Sequence, residues 1–275
     1  MIRLIATDID GTLLPEGHTD LNPEYFDVIR KLHAHGVRFF FASGRHAVSM
    51  KRTFGPVQDI VGIISQNGSA IEYQGSTEVS RPIPTEWIRE FWQDLSVFED
   101  VDSMIDTAEQ NFCPKAGSPM HVRVRDVYKY NISPTAGWDD VPDDDFSMLT
   151  VYHEFGADEF INTHGIREKW ESRLDLVKTG VTWVDCTMPG INKGAALRDL
   201  CRKFDIDPKD TIAFGDNIND IPMIRAAGTG YAVDTALPEV KAAADRVIPG
   251  FEEHGVLQIL KEVLASYDIS HIIKM

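Results

Sequence analysis

Apolar runs and helical stretches alternate at both ends of this 275-residue chain. Near the N-terminus, an apolar run at 2–6 is followed by a helical stretch, the run "VRFFFA", a second helical stretch and "IVGIIS". The same alternation returns after about residue 190, through "NKGAALRDLCRKF", "TIAF", "IPMIRAAG" and "GYAV". Strands that alternate with helices are typical of a parallel sheet covered by helices. We therefore expect an α/β core built on such a sheet.

The middle of the chain follows a different pattern. It contains an aromatic-rich helix, "TEWIREFWQDLSVF", a second helix around "DEFINTHGIREKWESRL", and alternating stretches such as "HVRVRDVYKY" and "SMLTVYHEF" that predict strands. Strands outnumber helices here, and Pro and Gly interrupt the elements often. We therefore predict an inserted α+β domain at residues 82–184, within a discontinuous core domain formed by residues 1–81 and 185–275.

Charge and composition exclude several classes of partner. A formal net charge of −16 repels nucleic acid and anionic lipid, so neither is expected to bind. No apolar stretch approaches the roughly 20 residues that span a bilayer, and the N-terminus lacks a signal-peptide pattern. Three widely spaced cysteines suit reduced thiols. These features favour a cytoplasmic protein without a membrane partner, and they leave its oligomeric state undetermined.

Two carboxylates, Asp8 and Asp10, directly follow the first apolar run. Like charges beside a core are costly unless something compensates them. An EF-hand calcium loop also opens with Asp-x-Asp, but it requires Gly at its sixth position and Glu at its twelfth. Leu13 and Thr19 stand at those positions, and a strand-like run precedes the pair instead of a helix. The pair is therefore not explained by a calcium loop.

Mg²⁺ is a better compensator, because it binds oxygen and commonly takes one or two carboxylates plus a substrate phosphate. Gly11 and Thr12 offer a tight turn with exposed N–H groups that can hold an anion. Asp216 leaves the end of the predicted strand "TIAF", and Asn219 and Asp220 open the next helix. Either of the last two residues could be a simple N-cap. Together with the first acidic pair, however, these residues predict a metal and phosphate site.

Two further segments carry groups suited to phosphate. Ser43, Gly44 and Arg45 end the run "VRFFFA" and could form a plain turn, but a hydroxyl beside a flexible N–H at a helix start can also hold a phosphate oxygen. Lys193 begins a predicted helix, where a cation opposes the helix dipole. A surface lysine is the ordinary interpretation. An anion bound at the same place would turn this cost into attraction.

Four motifs occur in a recognisable order: "DIDGTLL", "FFASGR", the lysine of "NKGAAL", and "GDNIND". Together they resemble the haloacid dehalogenase superfamily of phosphohydrolases. The long insertion, with "SQNGSAI" before it, is similar to the Cof-type branch with a class II (C2B-like) α/β cap. The resemblance implies a Rossmann-like catalytic core, a cap that sets substrate specificity, and a Mg²⁺-dependent phosphatase.

The resemblance also implies roles for individual residues. Asp8 would attack phosphorus and form an aspartyl-phosphate, while Asp10 would protonate the leaving group and then activate water. Mg²⁺ would be bound by the Asp8 carboxylate, the Asp10 backbone carbonyl and Asp216, with Asp220 in support. The expected phosphate-binding residues are Gly11, Thr12, Ser43, Gly44, Lys193 and Asn219, and Arg45 is assigned a supporting role.

Asn67 has two interpretations. Asn-Gly is a strong turn signal, so Asn67 could simply be a hairpin residue. In the families that this chain resembles, the corresponding residue lies near the cap junction and the substrate, and we therefore assign Asn67 a supporting role as well.

The leading hypothesis is hydrolysis of a small phosphorylated metabolite, such as a sugar phosphate or a phosphorylated cofactor. A phosphomutase is the near alternative, and it requires a second phosphate site in the cap. A predicted strand face there carries His121, Arg123 and Arg125, with Lys129 following, although such a stripe is more commonly a solvated sheet face. A non-catalytic phosphometabolite sensor is the third possibility, but binding alone would not require both Asp8 and Asp10.

Overall fold

The computed structural model describes residues 1–128 and 130–273. The strands of this part of the chain are β1 (Leu4–Thr7), β2 (Arg38–Ala42), β3 (Val61–Ser65), β4 (Ala70–Tyr73), β5 (Ser76–Val79), β6 (Val101–Thr107), β7 (Asn111–Cys113), β8 (Ile132–Pro134), β9 (Phe146–His153), β10 (Asp175–Lys178), β11 (Trp183–Thr187), β12 (Thr211–Gly215), β13 (Thr229–Val233) and β14 (Arg246–Ile248). The helices are α1 (Glu24–Ala34), α2 (Ala47–Phe54), α3 (Thr85–Ser96), α4 (Pro119–Asp126), α5 (Ala157–Thr163), α6 (Ile166–Trp170), α7 (Lys193–Lys203), α8 (Ile221–Ala226), α9 (Pro238–Ala243) and α10 (Gly255–Ile273).

The first sheet is the predicted parallel sheet. Its strand order is β14-β13-β12-β1-β2-β3-β4-β5, with parallel pairing from β14 to β3 and antiparallel pairing in β4 and β5. Neighbouring residues of β1 point to opposite faces. Ile5 belongs to the core that includes α1 and α10, whereas Leu4 and Ala6 belong to the core that includes α7. Burial on both faces explains why the central strands are mainly apolar, whereas the edge strand β5 is polar and exposed. The α/β expectation is confirmed.

The second sheet is mixed and mainly antiparallel, in the order β10-β11-β9-β6-β7-β8. Its apolar face packs on α3, α5 and α6, where the rings of Phe91 and Trp170 are 4.9 Å apart. The second helix predicted for this segment is divided in two at Gly165, whose φ is +72°. The predicted boundary between residues 184 and 185 falls inside β11. The division of the chain into two domains at these residues stays a prediction.

The strand predicted for "HVRVRDVYKY" is wrong, because its first residues belong to α4. The Ser118 hydroxyl accepts a hydrogen bond from the His121 N–H, and Pro119 occupies the first helical position. Met120 and Val124, four residues apart, are buried in the same cluster. Apolar residues at alternate positions therefore mislead here, because only the helical pair reaches the core. Lys129 lies outside the described residues.

Across residues 1–128 and 130–273, no helix combines the length and the apolar character that crossing a membrane requires.

Candidate active site

The carboxyl ends of β1 and β12 bring two distant acidic segments together. The two strands are parallel neighbours, and Ala6 pairs with Ala213. Asp8 follows the first strand and Asp216 follows the second, so both emerge at the same edge of the sheet. Carboxylate oxygens of Asp8, Asp216 and Asp220 lie within 4.8 Å of one another. The structure thus brings three of the predicted acidic residues together, whereas the Asp10 carboxylate is not part of this cluster.

Lys193 supplies the positive charge within this cluster. Its Nζ lies 2.6 Å from Oδ1 of Asp8 and 2.6 Å from Oδ1 of Asp220. Burial lowers the pKa of this lysine, but Asp220 and Asp8 outweigh it and raise the pKa above its ordinary value. Lys193 is the first residue of α7 and is 1% exposed. The cation at this unfavourable helix position is therefore held by two carboxylates of the protein itself.

Both oxygens of Asp220 are occupied by protein groups. Oδ1 accepts from Lys193, and Oδ2 accepts from the backbone N–H groups of Asp216 and Asn217, each at 3.0 Å. The Asn217 side chain in turn caps the following helical turn. Asp220 is thus committed to holding Lys193 and the loop after β12, which suits the supporting role predicted for it.

Asp8 and Asp216 retain oxygens that a cation could use. Oδ2 of Asp8 is buried and has no hydrogen-bond partner. Burial is the main cause that raises the pKa of Asp8 well above its ordinary value, followed by the charge of Asp220. The same two causes raise the pKa of Asp216 to about 6, although Thr12 donates a hydrogen bond of 3.0 Å to its Oδ1. Crowded, underpartnered carboxylates of this kind fit a hard divalent cation.

Gly11 is required by the close approach of the first motif to Asp216. Its φ is +86°, a conformation that side chains rarely adopt. A Cβ at this position would lie 2.3 Å from Oδ2 of Asp216. The absence of a side chain at Gly11 therefore allows the first motif to pack closely against Asp216, in addition to allowing the turn.

Asp10 lies beside Arg45. Oδ1 of Asp10 forms an ion pair with the Arg45 guanidinium and accepts a hydrogen bond of 3.1 Å from the Gly17 N–H. Arg45 is itself buried, and Oγ of Ser43 accepts from its backbone N–H at 3.1 Å. The segment 43–45 thus reaches the first motif directly and fixes the Asp10 carboxylate.

Asn67 connects the two sheets. It lies in the loop between β3 and β4, with a φ of +56°. Its Oδ1 accepts from Nδ2 of Asn219 at 2.9 Å, and its Nδ2 donates to Oδ2 of Asp185 on β11 at 2.7 Å. A Cβ on Gly44 would lie 3.3 Å from the Asn67 amide. Asn67 is thus a hairpin residue that also joins the core to the second sheet, and its predicted role near the substrate stays a prediction.

A cavity of about 610 Å³ opens between the two sheets. The core contributes Asp8, Asp10, Ser43, Gly44, Asp216 and Asn219 to its lining. The second sheet and its loops contribute polar residues that the sequence did not single out, namely Asp106, Asn111, Tyr130, Thr150 and Asp185, and α4 contributes Arg123. For Asp106 and Asp185, the sequence signal that could have indicated a functional role was a carboxylate inside a mainly apolar strand, in "SMIDT" and "WVDCT". The cavity size suits a small metabolite.

His46 was also missed. It caps the start of α2, and its ring bonds the Thr107 carbonyl of β6 at 3.1 Å. Its backbone N–H donates to the Tyr130 hydroxyl at 3.3 Å. Burial lowers the pKa of His46 to about 4, so the ring is neutral near pH 7. His46 is therefore a neutral contact between the core and the second sheet.

Comparison with known families shows to which protein family this chain belongs. The sequence profile of the haloacid dehalogenase-like hydrolases matches residues 5–260. The chain belongs to this family. The 5-amino-6-(5-phospho-D-ribitylamino)uracil phosphatase YbjI of Escherichia coli is 25% identical to this haloacid dehalogenase-like hydrolase, over 96% of each chain. The HMP-PP phosphatase of Yersinia pseudotuberculosis is 27% identical over 98% of each.

Solved structures give the same result. A crystal structure from Eubacterium rectale has a TM-score of 0.88 at 32% identity, covering 95% of this chain and 99% of that one. The subclass IIB sugar phosphatase BT4131 has a TM-score of 0.79 at 23% identity, covering 95% and 98%. The predicted Cof-type relationship and the capped Rossmann-like fold are confirmed. This haloacid dehalogenase-like hydrolase is a phosphatase, and hydrolases of its family generally use a divalent metal.

Proposed function

We propose that the protein hydrolyses a small phosphorylated metabolite, a sugar phosphate or a phosphorylated cofactor, with Mg²⁺ and through an aspartyl-phosphate. The observation that carries this proposal is the buried Asp8 carboxylate, which is paired with Lys193 on one oxygen and unpartnered on the other, at the wall of the cavity. The relatives named above, phosphatases of a phosphoribitylamino-uracil and of HMP-PP, support a small phosphorylated substrate.

In the first step, a carboxylate oxygen of Asp8 attacks phosphorus while the bond from phosphorus to the leaving oxygen breaks. Asp10, in the protonated form that this step requires, gives its proton to that oxygen, so the alcohol leaves neutral. The ion pair with Arg45 favours the ionised form, which the second step uses. Lys193 orients the Asp8 carboxylate and offsets part of the negative charge that repels a phosphate. Arg45 and the Gly17 N–H hold Asp10 in place at the cavity wall.

In the second step, water attacks the phosphorus of the aspartyl-phosphate. Asp10, now ionised, takes a proton from that water, and the bond between phosphorus and Asp8 breaks. Inorganic phosphate leaves, the Asp8 carboxylate is restored and Asp10 is protonated again. Atoms and charges balance over the two steps, and the net reaction consumes one water.

The residues that would hold Mg²⁺ are Asp8, Asp216 and the backbone carbonyl of Asp10. The ion supplies neutralisation of the phosphate charge. The phosphoryl oxygens would be bound by groups from four segments of the core, namely Thr12, Ser43, Gly44, Lys193 and Asn219. The N–H of Gly11, also predicted to bind phosphate, instead donates to the Leu14 carbonyl at 2.7 Å. Positioning and electrostatics of this kind carry most of the catalysis in phosphoryl transfer.

The mutase alternative is based on a predicted strand face of basic residues, and the structure has the helix α4 at residues 119–126 instead of that strand. His121, Arg123 and Arg125 lie on α4 and share no strand face. The His121 ring is buried and accepts from the Gly117 N–H at 2.8 Å, while Arg125 pairs with the exposed Asp126. The strand face predicted to carry a second phosphate site is therefore wrong, although Arg123 lines the cavity from α4.

A phosphate-release assay tests the proposed function. Purified protein with Mg²⁺ is expected to hydrolyse para-nitrophenyl phosphate and members of a panel of phosphorylated metabolites, whereas Asp8→Asn is inactive. Phosphorus NMR separates a mutase, because a mutase returns an isomer that keeps its phosphate. Turnover in the Asp8→Asn variant would contradict the assignment of the nucleophile.

A further inference from the structure

The lining of the cavity includes three residues that each have a buried oxygen without a hydrogen-bond partner. These oxygens are Oδ2 of Asp106, Oδ1 of Asn111 and Oε1 of Gln66, and we call them the acceptor cluster. All three side chains line the cavity and are at most 1% exposed. Buried polar atoms are nearly always hydrogen-bonded in folded proteins. Three unpartnered atoms on residues that line one cavity therefore point to a ligand.

The orientation of both amides is determined by their neighbours. Nδ2 of Asn111 donates to Oδ1 of Asp106 in a close hydrogen bond, and Nε2 of Gln66 donates to the Thr107 carbonyl at 2.8 Å. Reversal of the Gln66 amide would place its oxygen against the Thr107 carbonyl, and reversal of the Asn111 amide would place its oxygen against an ionised Asp106. The atoms left free are therefore oxygens, which accept hydrogen bonds.

We propose that the acceptor cluster binds hydroxyl or amino groups on the alcohol part of the substrate, and that it selects phosphate esters whose leaving alcohol donates hydrogen bonds. This inference rests on the proposed function, since the phosphate must lie at Asp8 for the alcohol to reach the second sheet.

The groups around the acceptor cluster are consistent with this chemistry. Another buried carboxylate of the cavity lining, Asp185, already accepts from Asn67 and from the Thr150 hydroxyl at 3.3 Å. Thr150 also lies near enough to Asp106 to lower its pKa, but its one proton is donated to Asp185. Asp106 thus keeps an oxygen for a ligand, whereas the Asp185 oxygens are used.

Asp106 can form hydrogen bonds with hydroxyl groups and with amino groups of a ligand. Burial is the main cause that raises the pKa of Asp106 to about 8. The Asn111 hydrogen bond lowers this pKa, and the charge of Asp185 raises it. A protonated Asp106 can donate to a hydroxyl oxygen and accept from another hydroxyl. An ammonium group would instead stabilise the ionised form. Arg123 and Tyr130 also line this part of the cavity.

Three phosphate esters of similar size separate these cases. Cyclohexylmethyl phosphate has no donor on its ring, glucose 6-phosphate has hydroxyls, and glucosamine 6-phosphate adds an ammonium group. The wild type is expected to show at least a tenfold higher kcat/KM for one of the two donor-bearing esters than for cyclohexylmethyl phosphate. Which of the two is preferred identifies hydroxyl or ammonium recognition.

Asp106→Asn tests the residue itself when it is assayed above the Asp106 pKa of about 8, because it then exchanges one acceptor oxygen for a donor with almost no change of shape. We expect it to reduce the preference at least tenfold, mainly through a higher KM for the donor-bearing ester, with a much smaller effect on cyclohexylmethyl phosphate. Gln66→Met is a second variant, which removes another oxygen of the cluster. Asp102→Asn, on the same strand but outside the cavity lining, is the matched control.

Equal turnover of the three esters by the wild type, or an undiminished preference in both variants, overturns the inference. A proportional loss with all three esters also overturns it, because that loss indicates a structural role. Failure of the proposed function is distinguishable, since it appears as absent hydrolysis of para-nitrophenyl phosphate by the wild type.

Discussion

Lys193 and Asp220 form a buried ion pair, with Nζ 2.6 Å from Oδ1 and both side chains at most 1% exposed. The same ammonium contacts Asp8 at 2.6 Å. Buried charges are tolerated only when each keeps its partner. The pair therefore links the stability of the core to the position of the predicted nucleophile.

Lys193→Met leaves Asp8 and Asp220 buried without their cation. We expect a loss of about 3–5 kcal/mol in the free energy of unfolding, the usual cost of breaking a buried ion pair, together with loss of activity. Urea unfolding measures the first effect. Lys203→Met is the control on the same helix, because Lys203 pairs with Glu78 at the surface and such pairs contribute little. Equal stability losses in the two variants would contradict the importance of the buried pair.

Asp8→Asn keeps the size of the side chain but removes the nucleophile. Phosphate release is expected to fall by about 10³-fold or more, as when a nucleophile is removed from other enzymes. Circular dichroism should remain unchanged, because Asp220 still holds Lys193. Asp27→Asn on the exposed side of α1 provides a control that should keep full activity.

Mg²⁺ is expected to stabilise the folded protein against heat. A ligand at one hundred times its Kd raises the free energy of unfolding by about 2.7 kcal/mol. Asp216→Asn should require a higher Mg²⁺ concentration for the same increase in Tm, whereas Asp199→Asn on the surface of α7 should behave like the wild type. An identical Mg²⁺ response in Asp216→Asn and the wild type would exclude Asp216 as a ligand.

Asp106 predicts a pH dependence of stability. Its folded-state pKa is raised to about 8, chiefly by burial, from an ordinary value of 3.8. Between these values the unfolded chain releases a proton that the folded protein retains, so stability is greatest below pH 4 for this group and is lost as the pH rises toward 8. The slope is at most about 1.4 kcal/mol per pH unit.

Asp106→Asn should therefore reduce the fall in stability between pH 5 and pH 8, as measured by urea unfolding at several pH values. Asp102→Asn serves as the control on the same strand. A slope that is the same in the wild type and in Asp106→Asn would show that Asp106 does not bind the proton.

Gly11→Ala tests the close approach between the first motif and Asp216. The added Cβ would meet Oδ2 of Asp216 at 2.3 Å, so activity and Mg²⁺ stabilisation should both fall. Gly36→Ala is a matched control, because Gly36 has a similar φ of +83° but open space around it. Both variants should lose about 1 kcal/mol of stability from backbone strain. Unchanged activity in Gly11→Ala would show that Asp216 can move.

Much of the core that carries the candidate active site could be predicted from local sequence patterns. The alternation of apolar runs and helices indicates a parallel sheet, and such sheets collect their polar side chains at the carboxyl ends of the strands. Asp8, Ser43 and Asp216 all follow strand ends, so their convergence follows from topology. The strand predicted around residues 118–127 is wrong, because apolar residues at alternate positions fit a strand while those four residues apart also fit a helix. Ser118 and Pro119 stabilise the start of the helix.

The sequence by itself determined the α/β core, the acidic pair of the first motif and the residues that approach it, because these depend on short-range periodicity and on strand order. Only the tertiary structure decided that Lys193 is held between Asp8 and Asp220, and that Arg45 pairs with Asp10. It alone placed Asp106 and Gln66, each with an unpartnered oxygen, in the lining of one cavity. These contacts join residues that are far apart in the chain, and their strength depends on burial, which no local pattern specifies.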